Sequence, residues 1–172
     1  MTVSVVLLRG VNLGAHNRVR MPDLVRVLEG TGCTDVRTYV QSGNAVVESP
    51  LTGVALETAV RSALVDELGL DVPVMTRTAD ELDRVVRGCP WTGLDPKLLH
   101  VAFLSGDPDP ALVAAVDHDA LLPERLVVGE RALYLDHAEG VRNSRLARVR
   151  LGVDATARNW RTVTALHEMS RS

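Results

Sequence analysis

The feature that most constrains this chain is the way its apolar period changes along residues 3–75. Val3–Leu8 is a short unbroken apolar run, consistent with a buried strand. Met21, Leu24, Val25 and Leu28 then fall at i, i+3, i+4, i+7, one face of a helix. Pro22 suits the first turn of that helix, where its missing N–H costs nothing, and Gly30 and Gly32 end it. Val36–Val40 and Ala45–Glu48 read as two strands, joined through Gln41-Ser42-Gly43-Asn44, a hairpin signal. Leu56, Val60, Ala63, Leu64 and Leu68 make a second amphipathic helix closed by Gly69, and Val72–Met75 is a fourth strand. The order β-α-β-β-α-β is the ferredoxin-like split motif.

The remainder repeats this logic more loosely. Thr78 with Glu81 has the spacing of a capping box opening a helix through Val86, stopped by Gly88-Cys89-Pro90. Leu99–Leu104 is a strand, and Asp109-Pro110 starts a helix carrying Leu112, Val113 and Val116. Leu126–Val128 and Ala132–Leu135 flank Gly129-Glu130 as a hairpin, and Asn143 is expected to cap a short helix with Leu146 and Val149. The expected class is α+β: two ferredoxin-like halves with antiparallel or mixed sheets covered by helices. The expected divisions are residues 1–78, residues 79–153 as a βαββα half, and residues 154–172 as a C-terminal helix, entered from a polar turn and packing back on the chain.

A chain of 172 residues can bury roughly 70% of its unfolded surface, so it needs no staples. Cys33 and Cys89 are isolated and lack metal spacing, which argues for a reducing compartment without a disulfide framework. The first apolar stretch is too short for a signal peptide or a membrane span and no basic region precedes it, so the expectation is a cytoplasmic protein with no membrane partner. Net charge is −3, so the chain as a whole does not attract nucleic acid electrostatically. The charge is uneven: from Arg142 to Arg161 there are six arginines and one acid, Asp154. Such a run is usually a solvated face, although it could also bind phosphate.

The split motif predicts a neighbourhood. In strand order 4-1-3-2 the loop after the first strand and the hairpin joining the second and third lie at the same sheet edge. Arg9, Gly10, Asn12, Gly14, Arg18 and Arg20 would therefore share a rim with Gln41, Ser42 and Asn44. The loop leads into a helix N-terminus, whose orphan N–H groups favour an anion by roughly 0.3–1 kcal/mol. Guanidiniums add bidentate donors suited to phosphate or carboxylate, glycines permit close backbone approach, and Asn12, Gln41, Ser42 and Asn44 could orient a ligand by hydrogen bonds. Against this, glycines and asparagines are what any turn uses. GVNLG is not a Walker loop and lacks the GxGxxG spacing, so no nucleotide motif is present. On these residues alone, a structural loop is the simpler reading.

Other candidates are weaker. Ser42 with His16 has no nucleophile-elbow signature and no orienting Asp. Asp117-His118-Asp119 cannot easily converge on one ion and reads as a solvated helix end. Cys89 reads as a buried small apolar residue, His100 as a satisfied half-buried strand histidine, and His137 and His167 have no partner visible in sequence. Trp160 either anchors the C-terminal helix or forms one wall of the site. No cofactor and no metal site is expected.

Three stretches together alter the weighting of the loop. LLRGVNLGAHNRVRM, VRTYVQSGNAVVES and TARNWRTVTAL closely resemble the bacterial family termed domain of unknown function 1697, over essentially the whole chain. The shared pattern falls on Arg9, Gly10, Asn12, Gly14, Met21, Tyr39, Gln41, Ser42, Gly43, Asn44, Thr156, Arg158, Asn159, Trp160 and Thr162. Arg18 and Arg20 stand where basic residues, often lysine, are usual. The resemblance implies two ferredoxin-like halves and brings no established reaction, substrate or catalytic residue. It adds Arg158, Asn159 and Trp160 to the candidate site. The expected function is binding, with or without turnover, of a small anionic ligand such as a nucleotide or phosphorylated metabolite at the rim. The alternatives are a nucleic-acid-binding module, less favoured for want of strand aromatics, and a structural protein without ligand.

Overall fold

A computed structural model describes all 172 residues. The chain divides into two compact units: Met1–Arg84 with Ala165–Ser172, and Val85–Thr164.

In the first unit the elements follow the order read from the apolar periods. They are β1 (Thr2–Leu8), α1 (Met21–Gly30), β2 (Thr34–Thr38), β3 (Asn44–Ser49), α2 (Gly53–Leu68) and β4 (Val74–Thr78). The sheet is antiparallel with order β2-β3-β1-β4, the order the split motif requires. Val6, Leu8, Ala45, Val47 and Val74 form one core with Leu24, Val27 and Leu28 of α1 and Leu56, Val60 and Leu64 of α2. The opposite face of β1, at Val5 and Leu7, is buried too. That explains why this strand reads as a continuous apolar run and not as an alternation. Gly69, at φ +63°, ends α2 by donating its N–H to Val65 O while Leu70 N–H reaches Leu64 O.

Helix α3 (Ala79–Arg87) carries the boundary between the units. Its capping box forms as expected: Thr78 N–H donates to Glu81 Oε2 at 2.8 Å, and Glu81 N–H to Thr78 Oγ1 at 3.2 Å. The second unit then runs β5 (Leu99–Leu104), α4 (Pro110–Ala114), α5 (His118–Leu121), β6 (Arg125–Gly129), β7 (Ala132–Asp136), a 3₁₀ turn at Arg145–Arg148 and β8 (Ala155–Asn159), followed by α6 (Trp160–Ser170). Its sheet is antiparallel with order β6-β7-β5-β8. Ala102, Leu104, Leu126, Leu133, Leu135, Leu146 and Leu151 form its core.

The principal departure from the sequence reading is β8. Residues 155–159 are a strand, not part of a helix or a turn, and pair with β5 from His100↔Asn159 to Leu104↔Ala155. The inward positions are Thr156 and Arg158, with Ala157 exposed between them. A strand whose buried side is a hydroxyl and a guanidinium carries no apolar alternation to read. With β8 in place the second half is also β-α-β-β-α-β in outline, and the boundary to the tail falls within α6. A smaller correction accompanies it: Ser144, not Asn143, caps the short helix, its Oγ accepting from Leu146 N–H at 3.2 Å. Asp117-His118-Asp119 is an exposed helix end, as read, at the start of α5, with Asp117 capping Ala120. No helix is long and apolar enough to cross a membrane.

Candidate functional site

The loop after β1 and the β2–β3 hairpin meet in the first unit. Leu8 N–H donates to Gly43 O at 2.9 Å, continuing the β1–β3 ladder into the turn. Asn12 does the rest. Its Nδ2 donates to Val19 O at 2.9 Å and to Gln41 O at 2.8 Å, and its Oδ1 accepts from Val19 N–H at 2.9 Å. One amide thus closes the loop on itself and ties it to the hairpin. Asn12 N–H also donates to Asn17 O at 3.1 Å.

The turns need left-handed backbone. Gly10, Asn12 and Asn17 lie at φ +67°, +57° and +52°, with Val40 at +48° and Gly43 at +75° on the hairpin. Glycine and asparagine adopt this region readily; a β-branched valine is strained there. Gly43 answers a second requirement. A Cβ on it would lie 2.7 Å from Val11 Cγ2 and 2.8 Å from Leu8 Cβ, so only a hydrogen lets the hairpin lie against the loop.

Two of the amides predicted to orient a ligand, Asn12 and Asn44, are therefore engaged within the protein. Asn44 is buried, its Nδ2 directed to Tyr39 O at 3.2 Å and Ser42 Oγ at 3.1 Å. The guanidiniums face water: Arg9, Arg18 and Arg20 are exposed, as are Gly10, Gly14 and Gln41, while Ser42 is half-buried. Arg18 Nε reaches Gly14 O at 2.9 Å, folding back on its own loop. No acidic residue occurs from Thr2 to Pro22 or from Val36 to Val47, so the rim is cationic within a net-acidic chain. Helix α1 begins at its edge with Arg20 as N-cap and no side-chain cap, although Asp23 stands in its first turn and pairs with Arg26 at 2.8 Å.

Arg158, Asn159 and Trp160 belong to the second unit, at the end of β8 and the start of α6. Arg158 is buried; its Nη1 donates to Thr156 Oγ1 at 2.7 Å and Ala157 O at 2.9 Å, and burial pushes its guanidinium down to about 10. Asn159 caps α6, its Oδ1 accepting from Thr162 N–H at 2.9 Å. Trp160 is half-buried, its backbone N–H donating to Pro96 O at 3.2 Å. These contacts give the three residues local structural roles at the strand–helix junction.

Sequence reading missed a polar cluster in the second unit. Ser144 Oγ donates to Glu124 Oε2 and lies 2.7 Å from His137 Nδ1, while Glu124 Oε1 accepts Arg145 N–H at 2.9 Å. Glu124, His137 and Ser144 are all buried. His100, half-buried on β5 as expected, packs edge-on against His137 with ring centroids 4.7 Å apart, and its Nδ1 is buried without a hydrogen-bond partner. Desolvation, aided by His137, lowers the His100 pKa to about 4; desolvation also lowers that of His137. Burial raises Glu124, but its bonds from Ser144 and the Arg145 N–H, with the His137 and Arg145 charges, leave it below the usual carboxylate range. The serine sits between acid and imidazole, inverting the order a Ser-His-acid nucleophile needs, so the cluster works as a clamp. The four residues lie 13 or more positions from one another apart from His137 and Ser144, so no local motif announces them.

No group of three or more His, Cys, Asp or Glu side chains is arranged to hold a metal. No curated relative matches the sequence. Among solved structures, the conserved bacterial protein SP0830 from Streptococcus pneumoniae is similar over 98% of this chain and 98% of its own, with a TM-score of 0.81 and 20% identity, a likeness of fold. A family profile described as protein of unknown function (DUF1697) matches residues 1–134, which include the loop and hairpin of the rim and end before β8. The chain therefore belongs to the DUF1697 family.

Proposed function

We propose that the rim formed by residues 9–20 and 41–44 binds a small anionic ligand, such as a nucleotide or phosphorylated metabolite. The observation that carries this reading is the Asn12 bridge to Gln41 O at 2.8 Å, which holds an arginine-bearing loop against the hairpin on an acid-free edge. Arg9, Arg18 and Arg20 supply the charge, and the first turn of α1 supplies a dipole of the right sign. The amides have a different part from the one expected of them. Asn12 and Asn44 shape the rim, and the exposed arginines supply its charge.

Thermal-shift screening with inorganic phosphate and nucleotides tests this. A ligand at 100 times its Kd stabilises the folded state by about 2.7 kcal/mol. In a chain of this length that raises Tm by roughly 5–10 °C. The Arg9→Ala and Arg20→Ala variants are expected to lose most of that shift. Equal shifts in wild type and both variants would exclude the rim.

A further inference from the structure

The second unit presents a separate cationic surface. The segment 140–153 contains Arg142, Arg145, Arg148 and Arg150 and no acid; Glu139 and Asp154 bound it. All four arginines are exposed, whereas Ser144, Leu146 and Leu151 of the same segment are buried. The segment is thus pinned inward at three points and turns its charges outward.

The pinning is specific. Ser144 is held between Glu124 and His137, and Arg145 N–H donates to Glu124 Oε1 at 2.9 Å. Arg145 Nη1 reaches Ala120 O at 2.6 Å, and Arg150 Nη1 reaches Ala147 O at 2.7 Å. Arg145 and Arg148 open and close a 3₁₀ turn, three residues apart. In that geometry i and i+3 side chains eclipse, with a separation along the axis of about 6 Å. The four exposed arginines are thus carried on a short segment whose backbone is fixed from below.

We infer that this arginine strap docks the phosphate backbone of a single-stranded nucleic acid. The argument is charge complementarity. A nucleic-acid strand carries one phosphate per nucleotide without interruption, so cations spaced along a strap each find an anion at any sequence register. An acidic polypeptide would need its own matched run of carboxylates. Guanidiniums bind phosphate oxygens through a planar fork, which favours a phosphate partner. The surface is independent of the rim and of the anion reading proposed for it.

The test uses the full chain and a labelled oligo-deoxythymidylate, titrated by fluorescence anisotropy at several salt concentrations. Wild type is expected to bind at low salt, with log K falling linearly against log salt. Arg142→Ala/Arg148→Ala, which leaves the buried clamp untouched, should weaken low-salt binding at least tenfold and make that slope shallower by about 1.4. Its Tm should stay at the wild-type value, and Arg9→Ala should bind like wild type. Four results would each overturn the inference: no wild-type binding at low salt, unchanged affinity in the double variant, an equal loss in Arg9→Ala, or polyglutamate competing as well as the oligonucleotide.

Discussion

The loop of residues 9–20 and the segment of residues 137–150 both carry arginines outward, and they are closed by opposite chemistry. In the first, the neutral amide of Asn12 bonds Val19 and Gln41 backbone at a half-exposed position. In the second, a carboxylate and an imidazole hold Ser144 below the surface. An amide gains its hydrogen bonds at any ordinary pH and needs no charge removed from water. A buried carboxylate gives stronger bonds but must be fully satisfied, because an unpaired buried polar group costs about 1–3 kcal/mol. The first device tolerates exposure; the second depends on burial and on protonation state.

The largest effect expected from breaking this contrast is at the clamp. Glu124→Ala removes the acceptor of both the Ser144 hydroxyl and the Arg145 N–H and should cost about 3 kcal/mol, read as a lowered urea midpoint at pH 7. Acid should act on the same region. His100 titrates near 4 in the fold against 6.5 for an ordinary histidine, so the unfolded chain takes up the proton first. Its contribution is complete above pH 6.5 and is lost as pH falls from there towards 4. Discounted for the solvent that reaches the ring, the loss is about 2 kcal/mol. Glu124, lowered in the fold, adds a further loss below its ordinary value of 4.5. His100→Gln should flatten the pH 7-to-4 stability profile; an unchanged profile would assign the acid sensitivity elsewhere.

At the rim, Asn12→Ala should cost about 2 kcal/mol by removing three hydrogen bonds of one side chain, with the wild-type pH profile retained. A steeper acid loss in that variant would undo the contrast drawn above. The smallest expected effect is a gain. Val40 is exposed and strained at φ +48°, so Val40→Asn should stabilise by about 1 kcal/mol, measured as a small rise in Tm. If it destabilises instead, the valine side chain holds the hairpin through packing.

The rim was legible because its parts are local turns placed by a recognisable strand order. GVNLG and QSGN announce backbone that needs glycine and asparagine, and β-α-β-β puts both at one edge. What could not be read was the destination of each side chain. Asn12 and Asn44 looked like ligand donors, yet they bond the nearest unsatisfied carbonyls. At β8 the failure was one of period. Thr156 and Arg158 point inward, and neither is apolar. The partners of the Glu124–Ser144–His137 clamp lie up to 20 positions apart, in the loops before β6, after β7 and before the 3₁₀ turn, so only folding brings them together.

By itself the sequence determined the α+β order, the first sheet's topology, the Thr78–Glu81 cap and the meeting of loop and hairpin, because apolar periodicity and turn chemistry act over a few residues. Only the tertiary structure decided that residues 155–159 close the second sheet, that Ser144 is clamped by a distant acid, and which arginines face water. Those outcomes depend on which polar groups are desolvated together, and desolvation is a property of the packed chain.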